Sequence, residues 1–323
     1  MILSNMKPPY TITNKILALV ASISEKIGEI NATHLYKPTA ELRKKNRIKT
    51  IQSSLEIEGN TLTEEQITAL LENKRVIAPQ KDILEVQNAI KVYDQLNKFN
   101  IYQLKDLKKA HSVLMNGLID NAGKLRTSNV GIVKGSKVEH IAPSGAIING
   151  LMKDLFEYLK KDKDLNLIKS CVFHYELEFI HPFLDGNGRM GRLWQTLILM
   201  EQYPVFEYLP IESLIKQKQN EYYNKLSESD KKGNSTPFIE FLLEIIFDTL
   251  VGLLQSQSVK LYTEDRILLF KEKIGENKFS RKDYMQNFKN ISAPTASRDL
   301  KWAVEQSILS KFGELRMSEY LFQ

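Results

Sequence analysis

His181, Asp185, Arg189 and Arg192 fall within a single run, His181-Pro182-Phe183-Leu184-Asp185-Gly186-Asn187-Gly188-Arg189-Met190-Gly191-Arg192. Beyond it, Met190, Leu193, Trp194, Leu197 and Ile198 recur at three- and four-residue intervals, which predicts a helix beginning near Gly188. Free backbone N–H groups and the positive end of the helix dipole gather at such a start, and Gly186 and Gly188 carry no side chain to keep an anion away. Arg189 and Arg192, three residues apart, occupy neighbouring positions on one face, where guanidinium forks can grip phosphate oxygens. Asn187 offers a neutral donor. Asp185 would weaken anion binding unless a hard cation such as Mg²⁺ bridges it to the phosphates, so it is read as a metal ligand. His181 follows a second apolar stripe (Leu167, Ile168, Cys171, Val172, Tyr175, Phe179) and is folded back toward the glycines, where an imidazole can take a proton from a hydroxyl. Phe183 pins the connecting loop into the core. The residues by themselves specify phosphate, metal and base.

The run resembles the signature of the Fic family, HxFx(D/E)GNGRxxR, and every fixed position is filled. The resemblance implies a helical fold and transfer of AMP from ATP to a hydroxyl side chain of a protein, with release of pyrophosphate. By that likeness His181 deprotonates the acceptor and Asp185 holds Mg²⁺ between the α- and β-phosphates. Asn187 and the Gly186–Gly188 backbone hold phosphate oxygens, and Arg189, Met190, Gly191 and Arg192 continue the nucleotide site, with the two arginines on the β- and γ-phosphates. Such chemistry is positioning plus charge neutralisation.

Ser53-Ser54-Leu55-Glu56-Ile57-Glu58-Gly59-Asn60 resembles the inhibitory helix that some Fic proteins carry on the N-terminal side. Glu58, supported by Ser54 and Gly59, is expected to form a bidentate pair with Arg192 in place of the γ-phosphate. The alternative is an ordinary helix end before a glycine stop. Between the two motifs, short β-branched runs from Gly123 to Pro143 predict a hairpin, either a plain surface one or the flap of the family. As a flap, Ile132, Val133, Lys134 and Gly135 would line the nucleotide side, and an exposed strand edge could pair with an extended target segment. His140 is read as a solvated loop residue. Tyr222, Tyr223 and Asp230 correspond to positions that approach adenine and ribose in the family, although tyrosines on a helix more often pack in the core.

The elements around these motifs are mainly helical. The reading is a mainly α fold, a helical bundle with a β-hairpin flap, plus a small C-terminal winged-helix domain. It divides into an N-terminal helical region (1–100), a catalytic core (101–258) and the winged-helix-like segment (259–323). The chain has 323 residues, 42% of them hydrophobic, and a formal net charge of +6, enough to bury one sizeable core and a smaller one. Lys44 to Glu58 is expected as the inhibitory helix, Thr61 to Glu64 as a capping box, and Ile83 to Leu96 as a further helix. The apolar stretch Phe238 to Leu254 is broken by Glu240, Glu244 and Asp248 on one helical face, which argues against a membrane span. Residues Met1 to Pro9 show no signal peptide pattern, and the single cysteine, Cys171, can form no internal disulfide, as expected of a cytoplasmic protein.

Toward the C-terminus, helices are expected over Glu264 to Ile274, Ser280 to Phe288 and Thr295 to Gln306, then a hairpin turning at Gly313. Ser292 to Leu300 resembles the recognition-helix start of bacterial winged-helix regulators. Residues 278–316 hold eight Lys or Arg against four Asp or Glu, a match for DNA, with Asp299 expected to oppose phosphate. Besides AMP transfer, two readings stay open: a DNA-binding regulator using the site as a nucleotide sensor, and removal of AMP or transfer of another phosphate-containing group. Relatives of this layout often form homodimers.

Overall fold

The computed structural model describes residues 7–32, 40–134, 137–256, 262–275, 277–288, 291–314 and 318–323. The amino-terminal stretch 1–6, Gly135, Lys289 and Arg316 lie outside them. The chain forms two compact units, 1–256 and 257–323.

In the first unit, α1 (Asn14–Ala32) and α2 (Ala40–Ile57) precede α3 (Glu64–Leu71), α4 (Gln80–Tyr93) and α5 (Leu104–Leu114). A two-stranded hairpin follows, β1 (Gly131–Lys134) and β2 (Lys137–Ile141), then α6 (Ile148–Lys161), α7 (Asn166–Ile180) and α8 (Asn187–Gln202). The unit closes with α9 (Ile211–Gln217), α10 (Gln219–Lys232) and α11 (Thr236–Ser256). Helices α7 and α8 pack along one another at its centre. Each is buried on nearly every face rather than along one stripe, since Lys169, Ser170 and His174 on α7 and Arg189, Arg192 and Gln195 on α8 are as enclosed as the apolar positions. Trp194 is fully buried among Phe99, Phe156 and Phe173, and its indole N–H donates to the Ile101 carbonyl at 3.2 Å. Helix α11 packs against α1, where Lys15 pairs with Glu244 at 2.7 Å, so the acidic face of the apolar stretch has a cationic partner. Among the described residues no helix is long and apolar enough to cross a membrane. Cys171 is a free, buried thiol that burial pushes up to about 12.

Three local expectations are corrected. The capping box is Thr63 with Gln66, because Thr61 is held in the preceding loop by Asp82, which accepts from both its N–H and its hydroxyl. The helix expected over Lys44 to Glu58 starts earlier, at Ala40, and stops at Ile57, so Glu58 stands just past its end, followed by Gly59 at φ +93°. His140 lies in β2 opposite Ile132 rather than in a loop, because the antiparallel pairing runs on to Gly131 and Ile141.

The second unit runs α12 (Thr263–Ile274), β3 (Phe279–Ser280), α13 (Arg281–Asn287), α14 (Ala293–Glu305), β4 (Leu309–Phe312) and β5 (Glu319–Phe322), with sheet order β3-β5-β4. Its core is Ile267, Phe270, Phe279, Tyr284, Leu300 and Leu309. Ser280 and Ser292 cap α13 and α14 by accepting from the Asp283 and Thr295 N–H groups. Asp299, expected to face phosphate, is instead buried and takes the Arg266 guanidinium at 2.6 and 2.7 Å and the Thr263 and Tyr284 hydroxyls at 2.7 and 3.2 Å. Its charge is spent inside the unit.

Candidate active site

The site is built on the loop between α7 and α8. His181 caps α7 with φ 50° and ψ 59°, a left-handed conformation that non-glycine residues seldom adopt, and this turns the chain back on itself. Phe183 is fully buried and stacks on the His111 ring, 3.7 Å between centroids. His111 accepts the Gly123 N–H at Nδ1 (2.8 Å), so its Nε2–H donates to the Asp185 carbonyl at 2.9 Å. Burial pushes that imidazole down to about 4, which keeps it neutral in this role. Gly186 starts α8 at φ 85° without a capping side chain, leaving the N–H groups of the first turn open to an anion.

Above this helix start lies a cavity of about 310 Å³ bordered by His181, Asp185, Gly186, Gly188, Arg192 and Glu58, with Tyr223, Ser227 and Asp230 on the far wall. Arg192 is buried. Its Nε donates to the Ser54 hydroxyl at 3.0 Å, and its Nη2 to the Ser54 carbonyl at 2.8 Å and to Glu58 Oε1 at 2.7 Å. Burial works against the guanidinium charge, but Glu58 together with Tyr222 and Glu178 outweighs it, and the net effect is to raise the Arg192 pKa. The expected bidentate pair is corrected to a single carboxylate oxygen, because Ser54 occupies Nε and shares Nη2 with Glu58. Nη1 is buried with no hydrogen-bond partner among the described residues. A Cβ on Gly188 would stand 2.6 Å from Glu58 Oε1 and 3.2 Å from that Nη1, so glycine here is what lets an anionic oxygen approach the helix start.

Not every residue of the run faces this cavity. Arg189 turns to the other side of α8, where it pairs with Glu85 at 3.2 Å and with Asp185 at 3.0 Å. Met190 is in the core, and Gly191 makes room for the His174 ring. The reason is the helix period: with α8 buried all round, residues 189 to 191 point to three different packing partners while 188 and 192 share the cavity face. The Asn187 amide accepts the Phe183 N–H and donates to the Phe183 carbonyl, both at 2.9 Å, so it ties the loop at the cavity border. Tyr222 is 1% exposed. Its hydroxyl donates to Glu178 at 3.1 Å and lies 3.0 Å from His174 Nε2, which makes it a wall rather than a stacking surface. Tyr223 is half-buried at the cavity, and Asp230 accepts from the Tyr175 hydroxyl at 2.8 Å. Ile132, Val133 and Lys134 lie on β1, paired with His140, Val138 and Lys137.

Asp185 presents a half-exposed carboxylate at the cavity, with Oδ1 held by Arg189. One hard oxygen donor beside an anion-binding helix start fits Mg²⁺, which takes few protein carboxylates and draws its other ligands from phosphates and water. Sequence reasoning missed Glu178, His111, Glu85 and Arg126. Glu178 stands one helical turn before His181 and His174 two turns before, a spacing that places them on one face and was available to be read. Glu85 and His111 carry no local signal, since only packing brings them to the loop.

A helix start without a capping side chain, a buried guanidinium and an imidazole border one cavity of a mainly helical protein. Residues 101–199 match the Fic/DOC family. A crystal structure of a Fic family protein from Desulfovibrio desulfuricans G20 is 39% identical, covers 98% of either chain and superposes with a TM-score of 0.75. The chain belongs to the Fic family. A protein adenylyltransferase Fic from Drosophila mojavensis is 30% identical over 72% of this chain and 46% of its own length. A protein adenylyltransferase fic-1 from Caenorhabditis elegans is 29% identical over 69% and 44%. The chain spans about half the length of these curated relatives.

Proposed function

We propose that this protein transfers AMP from ATP to a hydroxyl side chain of a protein and that Glu58 holds it in an inhibited state. The observation that carries the reading is the 2.7 Å contact between Glu58 and Arg192, inside the same cavity that holds His181 and the α8 start. Relatives named protein adenylyltransferase support the choice of AMP. In the reaction the acceptor oxygen attacks the α-phosphorus as the bond to the pyrophosphate oxygen breaks. His181 accepts the hydroxyl proton on its imidazole, and pyrophosphate leaves. The first-turn N–H groups of α8 and the open Nη1 of Arg192 hold phosphate oxygens. Mg²⁺, when bound with the nucleotide, would sit on Asp185 and offset phosphate charge.

With Glu58 in place, Arg192 is engaged by a carboxylate and the triphosphate is kept from its transfer pose. Removing a charge-assisted contact worth about 1.5–3 kcal/mol should raise turnover by about ten- to a hundredfold. Incubation with α-labelled ATP and Mg²⁺ tests this: Glu58→Gly labels itself or added protein at least about tenfold more than wild type, and His181→Ala does not label. Equal labelling of all three proteins overturns the assignment. Mass spectrometry of the Glu58→Gly protein with each nucleoside triphosphate separates AMP transfer from transfer of another phosphate-containing group.

The second unit supports a separate reading. Its helix–strand–helix–helix–hairpin order supports the winged-helix reading, and α14 exposes Arg298 and Lys301. We read it as a nucleic-acid or partner-binding module. A salt-dependent gel shift of the full chain, weakened by Arg298→Ala, would favour DNA, and no retardation at low salt excludes it.

A further inference from the structure

Arg126 is 3% exposed, and its side chain reaches four main-chain carbonyls. Nε donates to His181 O at 2.6 Å and Nη2 to Ile180 O at 3.0 Å, the last carbonyls of α7. Nη1 donates to Ser128 O at 2.6 Å and Nη2 also to Pro143 O at 2.8 Å, one on each side of the β1–β2 hairpin. The Arg126 main-chain N–H adds a bond to Pro182 O at 2.9 Å. The hairpin neck is closed further by the Gly145 N–H donating to Asn129 Oδ1 at 3.1 Å, and so tightly that a Cβ on Gly145 would stand 2.0 Å from Thr127 O.

The hairpin forms a two-stranded sheet of its own, and such ribbons are marginal in water, so its position is set by the neck together with the approach of β2 to α10. One guanidinium therefore fixes both the neck and the left-handed residue that carries the base. A planar fork with several donors can do this, and a lysine ammonium cannot span the same four acceptors.

We infer that Arg126 is the positioning residue that sets the hairpin in register with His181, so that a hydroxyl on a segment paired to the hairpin edge arrives over the base. This rests on the proposed reading of His181 as base and on the flap alternative for the hairpin, in which its edge pairs with an extended target segment. Hydrogen exchange measured by mass spectrometry tests the clamp without any activity. In Arg126→Lys, amides of 131–134, 137–141 and 181–186 should exchange about tenfold faster or more, while core amides of 168–175 and 193–199 stay within about twofold. Gly145→Ala, which opens the neck from the other side and leaves the guanidinium in place, should give the same local pattern and decides the matter if Arg126→Lys does not fold. Unchanged hairpin exchange, or a rise spread evenly through the core, overturns the inference.

In the Glu58→Gly background, Arg126→Lys should lower AMP incorporation about tenfold or more with half-saturating ATP within about twofold. A raised ATP requirement at an unchanged maximal rate also overturns it. If Glu58→Gly alone fails to label, the functional reading falls and the exchange measurement still decides the clamp.

Discussion

Arg192 donates three hydrogen bonds to Ser54 and Glu58 at the end of α2, and under the proposed function this sets a protein carboxylate against a phosphate for one guanidinium. Ser54 contributes two of the three bonds, through its hydroxyl and its carbonyl. Ser54→Ala removes only the hydroxyl, so it should raise basal AMP incorporation by about fivefold, well short of Glu58→Gly, in line with one hydrogen bond of about 1 kcal/mol. Labelling rates at saturating ATP check it. A second residue-scale prediction concerns Glu212, which is buried near Arg192 with Oε2 unpartnered among the described residues. Burial raises its carboxyl to about 7 from an ordinary value of 4.5. The folded state thus keeps a proton that the unfolded chain gives up. The stability attached to this group is complete below about pH 4.5 and is lost as pH rises through about 7. Glu212→Gln should therefore gain about 3 kcal/mol relative to wild type between pH 5 and pH 8, read from denaturant midpoints.

At the scale of elements, α2 is held at its C-terminal end by donors from three other helices. Arg192 of α8 takes the Ser54 carbonyl, Lys216 of α9 takes that of Glu56 at 3.2 Å, and Gln219 of α10 takes that of Ile57 at 3.0 Å. These are the carbonyls a helix end leaves without intrahelical partners. The Glu58 carboxylate, inhibitory under the proposed function, is thus presented by a seat rather than by a free tail. Gln219→Ala should loosen that seat and raise basal labelling about two- to tenfold without touching Glu58 or Arg192. A rate equal to wild type would mean that Glu58 is positioned without Gln219.

At the scale of the whole molecule, each of the two units has its own core, one centred on α7 and α8 and the other on Phe270, Tyr284 and Leu300. Residues 1–256 should fold alone, keep the far-UV helical signal, and in the Glu58→Gly form retain labelling within about threefold of the full chain. In the second unit the Arg266–Asp299 pair is buried, so Asp299→Asn should cost about 3–5 kcal/mol by leaving a buried cation without its charge partner. In a thermal scan of the full chain it should lower the transition of that unit and leave the larger one in place.

The order of helices, the hairpin and the glycine-flanked helix start were legible in the sequence because each is governed by neighbours a few residues apart: apolar spacing, caps, and turn residues. The same is true of His181, Asp185, Gly188 and Arg192 as a chemical set. What only the tertiary structure decided is which of those side chains share a cavity. Arg189 goes to Glu85, Asn187 closes its own loop, Tyr222 becomes a wall, and Asp299 is consumed by Arg266. A helix buried on all sides has no solvent face to mark its functional one, so the direction each residue takes is fixed by partners that can lie 104 to 138 positions away in the chain.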